Sequence, residues 1–143
     1  MKTNIKYIAI VMPMAVLFMC ATLTAQVKQG KSRPLKTAQL MKGVMKPNCT
    51  QLKNGLDANP ADDKAWAKLA LNAALINELS YTLMADGRCP DGTWAKSASD
   101  TLRNCSSAIL KAVEAKNVDE AKKAFSALTK ACSGCHKAHK KKK

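Results

Sequence analysis

The sequence predicts an all-α protein, an antiparallel four-helix bundle, and three observations carry that expectation. The composition is 47% hydrophobic but only 4% aromatic, and the strong helix formers Ala, Leu, Lys and Met are prominent. Apolar residues recur at helical spacing in four stretches of about 20 residues. The connectors between them are short and rich in Asn, Asp, Gly and Pro, so consecutive helices should be antiparallel neighbours. A chain of 143 residues is expected to be one domain, which excludes two-domain enzymes.

Residues 1–25 are set apart as a secretory signal peptide. Lys2 and Lys6 precede an apolar run from Tyr7 to Leu23 that ends in small residues at Thr24-Ala25. Cleavage is expected after Ala25, although Leu23 is larger than the usual residue two positions before the cut. An uncleaved anchor is disfavoured because the run is interrupted by Pro13 and falls short of the roughly 20 residues a spanning helix needs. Lipidation at Cys20 is disfavoured by the bulky Phe18-Met19 before it. Export to the periplasm with no stable membrane anchor after cleavage follows, and loss of Lys2 and Lys6 lowers the net charge from +14 to +12.

Residues 26–34 (QVKQGKSRP) read as a flexible basic leader to a helical domain over 35–143. The first helix is expected from Leu35 to Leu56, with the stripe Leu40, Met41, Val44, Met45, Cys49, Leu52 and Leu56. Pro47 removes a backbone bond and crowds the preceding turn, which predicts a kink or break near Met45-Lys46. The second helix should be capped by Asn59, with Pro60 at its first position and Asp62-Asp63 against the dipole. Its stripe is Trp66, Leu69, Ala70, Ala73, Ile76, Leu79, Leu83 and Met84. After the turn 87–92, Thr93 is expected to cap a third helix through Trp94, Ala98, Leu102, Cys105, Ile109, Ala112 and Val113. Asn117 and Glu120 form a capping-box signature for the fourth, whose stripe is Ala121, Ala124, Phe125, Leu128, Cys132, Cys135 and His139.

The chemistry is concentrated in Cys132-Ser133-Gly134-Cys135-His136, a C-x-x-C-H, the attachment signature of c-type haem. On a helix these cysteines and the histidine stand at i, i+3 and i+4, so three side chains leave one face together. Two thioethers to haem vinyl groups and an axial imidazole on the iron are then within one turn, and Ser133 and Gly134 are small where the haem edge should lie close. A redox or structural C-x-x-C competes, but His136 and the lack of a thioredoxin-like strand pattern weigh against it. A zinc site lacks a second Cys or His pair to complete four ligands. A haem-free helical metal-binding or structural module is the remaining alternative outside the haem class.

The motif lies seven residues before the last one, leaving no downstream Met segment to supply a second ligand. With the stretch Asp119-Glu120-Ala121 through Phe125-Ser126-Ala127-Leu128 to the C-x-x-C-H, and Lys140 four residues after the histidine, the chain from Leu35 onward resembles the class II c-type cytochromes, the cytochrome c′ and cytochrome c556 family. The resemblance implies one covalent haem c on Cys132 and Cys135 of the last helix, His136 as the proximal iron ligand, a possible tuning role for Lys140, and a homodimer. It departs at His139, where the family usually has an aromatic residue. In that family a Met from the first helix makes a six-coordinate electron carrier, whereas an apolar residue leaves the iron open to nitric oxide or carbon monoxide. Met41 and Met45 are the candidates for distal ligand or lid, with core filling as the competing role, and Met84 is a weaker one. The expected function is periplasmic electron transfer, with five-coordinate gas binding as the alternative and no enzymatic constellation visible beyond the haem.

Cys49, Cys89 and Cys105 allow three disulfide pairings, of which their heights along the helices favour Cys49 with Cys105. Three buried thiols are the alternative. The lysine surplus suits redox partner proteins, acidic ones among them, or an anionic surface, or serves solubility alone; nothing points to nucleic acid.

Overall fold

A computed structural model describes residues 32–139, all-helical apart from turns and connectors. The expected signal segment, the leader up to residue 31 and Lys140 lie outside the described residues. Four helical segments form: α1 over residues 37–57, α2 over Asp63–Met84, α3 over residues 92–114 and α4 over Val118–His139. No helix among the described residues is long and apolar enough to cross a membrane.

The helix ends follow local chemistry, with two differences from expectation. Asp62, not Asn59, caps α2, its Oδ1 accepting from the Ala65 amide at 2.7 Å. Asn59 instead closes α1, at φ 53° with its amide donating to the Leu56 carbonyl. Asparagine tolerates this left-handed conformation well, so it serves as the stop, and the start moves to the next residue able to cap. Likewise Asp91, not Thr93, caps α3, its Oδ1 accepting from the Trp94 amide at 2.9 Å. The carboxylate lies two residues earlier and adds charge opposite the helix dipole. Between α3 and α4, Lys116 takes φ 54° and Asn117 donates to the Ala112 carbonyl, a Schellman closure. Asn117 then accepts from the Glu120 amide and caps α4 as expected.

Cross-helix contacts show that successive segments run antiparallel. Gly55 of α1 lies against Leu69 of α2. On α2, Asn77 bonds Ser106 and Ser107 of α3, and Leu83 accepts from Trp94. Asp91 meets His139 at the far end of α4. The core between them is Leu52 and Leu56 from α1, Ile76 from α2, Ile109 and Val113 from α3, and Leu128 from α4, all essentially without exposure. Each large aliphatic side chain buried this way contributes roughly 1.5–3 kcal/mol before entropy is counted. The stripes expected from sequence are the ones buried.

One buried polar cluster joins α2 to α3. Asn77 donates to the Arg103 carbonyl and the Ser106 hydroxyl, Ser106 donates to the Leu102 carbonyl at 2.7 Å, and Arg103 Nε donates to Ser80 Oγ. Ser80 and Ser106 are fully buried, so these bonds remove the penalty of leaving hydroxyls unsatisfied. A second cluster pins the approach to α1: Arg88 pairs with Asp86 at 3.3 Å and donates to the Leu35 carbonyl at 2.8 Å.

Candidate cofactor site

Two stretches of helix depart from the α ladder, and both line the same cavity. Within α1, Met41–Met45 is π-helical, and within α3, Lys96–Arg103 is π-helical. The disturbance expected at Pro47 therefore appears as a widened turn instead of a break. In an α turn the proline ring would press on the Gly43 carbonyl; the wider turn relieves it, with Lys46 donating to the Met41 carbonyl. The α3 stretch contains no proline, but Ser97, Ser99, Asp100 and Thr101 all offer side-chain competition to the backbone. Thr101 Oγ1 donates to the Lys96 carbonyl. Nothing in the periodicity of the sequence announced either π segment.

The cavity, small at about 40 Å³ and partly open to solvent, lies between the two π segments and the end of α4. Met41 and Met45 enter from α1, Leu83 from α2, Trp94, Ala98 and Leu102 from α3, and Cys132, Cys135 and His136 from α4. Thus the three residues of the C-x-x-C-H and both candidate methionines of the first helix meet in one apolar space. Met84 packs against the core but does not line this cavity. Ser133 and Gly134 are exposed, and a Cβ on Gly134 would meet nothing, so their smallness is not required by packing. At i+1 and i+2 they point away from the face that Cys132 and Cys135 share.

Each side chain has a distinct environment. Burial pushes the Cys132 thiol up, with the neighbouring Cys135 and Cys105 adding to it. Burial also raises Cys135, opposed by the adjacent Ser97 hydroxyl and reinforced by the Asp91 carboxylate. His136 is exposed on its helix and its ring makes no hydrogen bond among the described residues. Met45 is buried, and its Sδ accepts the Cys49 thiol at 3.6 Å, whereas Met41 is half-buried and carries no such contact. Trp94 is locked as a wall by its indole N–H bond to the Leu83 carbonyl at 2.9 Å. His139 packs edge-on against that indole, ring centroids 5.4 Å apart, with Nε2 3.4 Å from Asp91 Oδ1. It does not line the cavity.

Among the described residues the five cysteines are all free thiols. The favoured pairing of Cys49 with Cys105 is not formed. Burial pushes the Cys49 thiol up, with Cys132 adding to it. Cys89 donates to the Asp91 carbonyl within the α2–α3 turn. Among the described residues no group of three or more His, Cys, Asp or Glu side chains could hold a metal ion alone. No protein-family model, no curated protein and no solved structure matches this chain.

Proposed function

We propose that the chain is an exported c-type cytochrome of the class II kind, a four-helix bundle that carries one covalent haem on α4 and passes single electrons in the periplasm. The observation that supports this best is the convergence of Cys132, Cys135 and His136 with Met41 and Met45 on one apolar cavity. The donor set fits haem: two thiols one helical turn apart for two thioethers, an adjacent imidazole for the iron, and flanking apolar walls. When bound, haem supplies an iron that gains and loses one electron. The chain supplies the rest. Raised thiols at Cys132 and Cys135 stay protonated at neutral pH and resist adventitious oxidation before attachment. Trp94, Leu83 and Leu102 give the cavity an apolar lining, which would lower the local dielectric around a bound iron. His136, free of other partners, can turn its ring to the metal. A tuning role for Lys140 belongs to the same proposal.

Of the two methionines, Met41 would be the one to ligate a bound iron and Met45 would serve as lid, because the Met45 sulfur already accepts the Cys49 thiol. The same cavity supports a second reading, since closure by Leu83 and Leu102 alone would leave a bound iron open to a small neutral gas.

The test is the absorption and resonance Raman spectrum of protein matured with haem, in both oxidation states and with carbon monoxide. The expected result is a covalent haem mass on the peptide holding Cys132 and Cys135, a low-spin spectrum indifferent to the gas, and a high-spin, gas-responsive spectrum in Met41→Leu. A high-spin wild type that shifts with carbon monoxide selects gas binding, and absence of covalent haem sinks both.

A further inference from the structure

The acidic residues are distributed unevenly over the helices. Between Thr37 and Leu56 α1 has no Asp or Glu, and between Ala121 and His139 α4 has none. The acids these two helices do carry, Asp57, Asp119 and Glu120, sit together at the end remote from the cavity. There they are used: Lys53 pairs with Asp57, and Lys123 with Glu120. Toward the cavity end, Lys42 and Lys46 of α1 and Lys130 and Lys137 of α4 are all exposed and have no acidic partner among the described residues.

The two helices are neighbours, and a groove runs between them, with Thr50 and Lys53 on one bank and Lys122, Phe125 and Thr129 on the other. His136 continues the stripe of Phe125, Thr129 and Cys132 that faces α1, and it is exposed. The side chain assigned above to the iron therefore reaches solvent on the basic face.

We infer that the α1–α4 face, at its cavity end, is the docking surface for a protein partner whose contact face is acidic. This rests on the redox reading in one respect, that His136 there gives an electron a short route to the partner. The charge pattern stands without it. A protein is favoured over an anionic lipid surface because the exposed large apolar side chains, Leu35, Leu71, Leu75 and Tyr81, lie outside α1 and α4. A helix bound in a membrane interface needs apolar anchors beside its lysines, whereas protein encounter needs only complementary charge.

The experiment titrates the full matured chain with an acidic flavodoxin, followed by amide NMR shifts, and in parallel with phosphatidylglycerol vesicles. Shifts confined to residues 42–49 and 129–137 are expected. Affinity should weaken steeply as ionic strength rises from about 0.01 M to about 0.1 M, where the screening length falls from roughly 30 Å to 10 Å. Lys42→Glu/Lys46→Glu/Lys137→Glu should weaken binding by at least about tenfold, while Lys64→Glu/Lys68→Glu/Lys111→Glu should leave it within about twofold. The proposal is overturned if flavodoxin does not bind, if the shifts fall on α2 and α3, or if vesicles alone bind. The haem content of the same sample is read separately, so loss of the redox reading and loss of the docking surface give different results.

Discussion

Cys49 shows how far burial can move one side chain. Its thiol is pushed up to about 12, chiefly by burial and secondarily by Cys132. In the unfolded chain the same thiol ionises near pH 8.5–9. Stability from keeping it neutral is thus fully present below about pH 9 and is lost as pH rises toward 12. Thermal melts should fall between about pH 7 and pH 10.5 in the wild type, and this alkaline decline should be shallower in Cys49→Ala, whatever the change at neutral pH. Equal slopes in both proteins would refute the assignment. Such effects were beyond sequence reading, because depth of burial depends on what α4 brings alongside. The C-x-x-C-H was legible for the opposite reason, since one helical turn determines its geometry. The caps fell between: Asn59 and Asp62 are both good capping residues, and only the left-handed turn at Asn59 decides between them. Ser80 and Ser106 were invisible as core residues because the partners that draw them inward, Arg103 and Asn77, lie more than 20 residues away.

At the scale of the helix, the two π segments carry the site and were the part least legible. The apolar stripe of α1 reads as continuous through Pro47, and periodicity cannot tell a widened turn from a kink. Yet the widening decides which side chains enter the cavity, because resolving it into an α ladder turns the residues before it by about 100°. Pro47→Ala removes the ring from the Gly43 carbonyl and restores an N–H donor. The expected outcome is a helix more stable by roughly 1–3 kcal/mol, with Met41 rotated out of the cavity. NMR contacts between the Met41 methyl and Leu83 should weaken as the melting temperature rises, and the matured variant should turn high-spin. Retention of those contacts in the stabilised variant would mean that packing at the cavity, and not the proline, sets the π turn.

Four stripes of apolar residues were enough to predict four helices and their buried faces, since each stripe can be covered only by the others. Charge placement over the whole molecule emerged only once α1 and α4 were known to be neighbours. Its consequence extends to acid. Lys116 donates to Asp63 at 2.6 Å, tying the end of α3 to the start of α2, and Lys53 holds Asp57 within α1. The hydrogen bonds from these lysines hold both carboxyls below the usual range. A carboxyl lowered on folding stabilises above its unfolded value near pH 3.9, and that stabilisation is lost as pH falls through the folded value. Both pairs are exposed, so each is weak, but the loss does not come alone. With every acid neutral, 24 Lys and Arg side chains repel without compensation. Melting temperature should therefore drop steeply below about pH 4, and added salt should restore part of it by screening. Asp63→Asn should start lower at neutral pH and lose less on acidification, because its share of the linkage is already gone. An acid profile parallel to wild type would assign the loss to general repulsion and leave the Lys116–Asp63 tie without a role in stability.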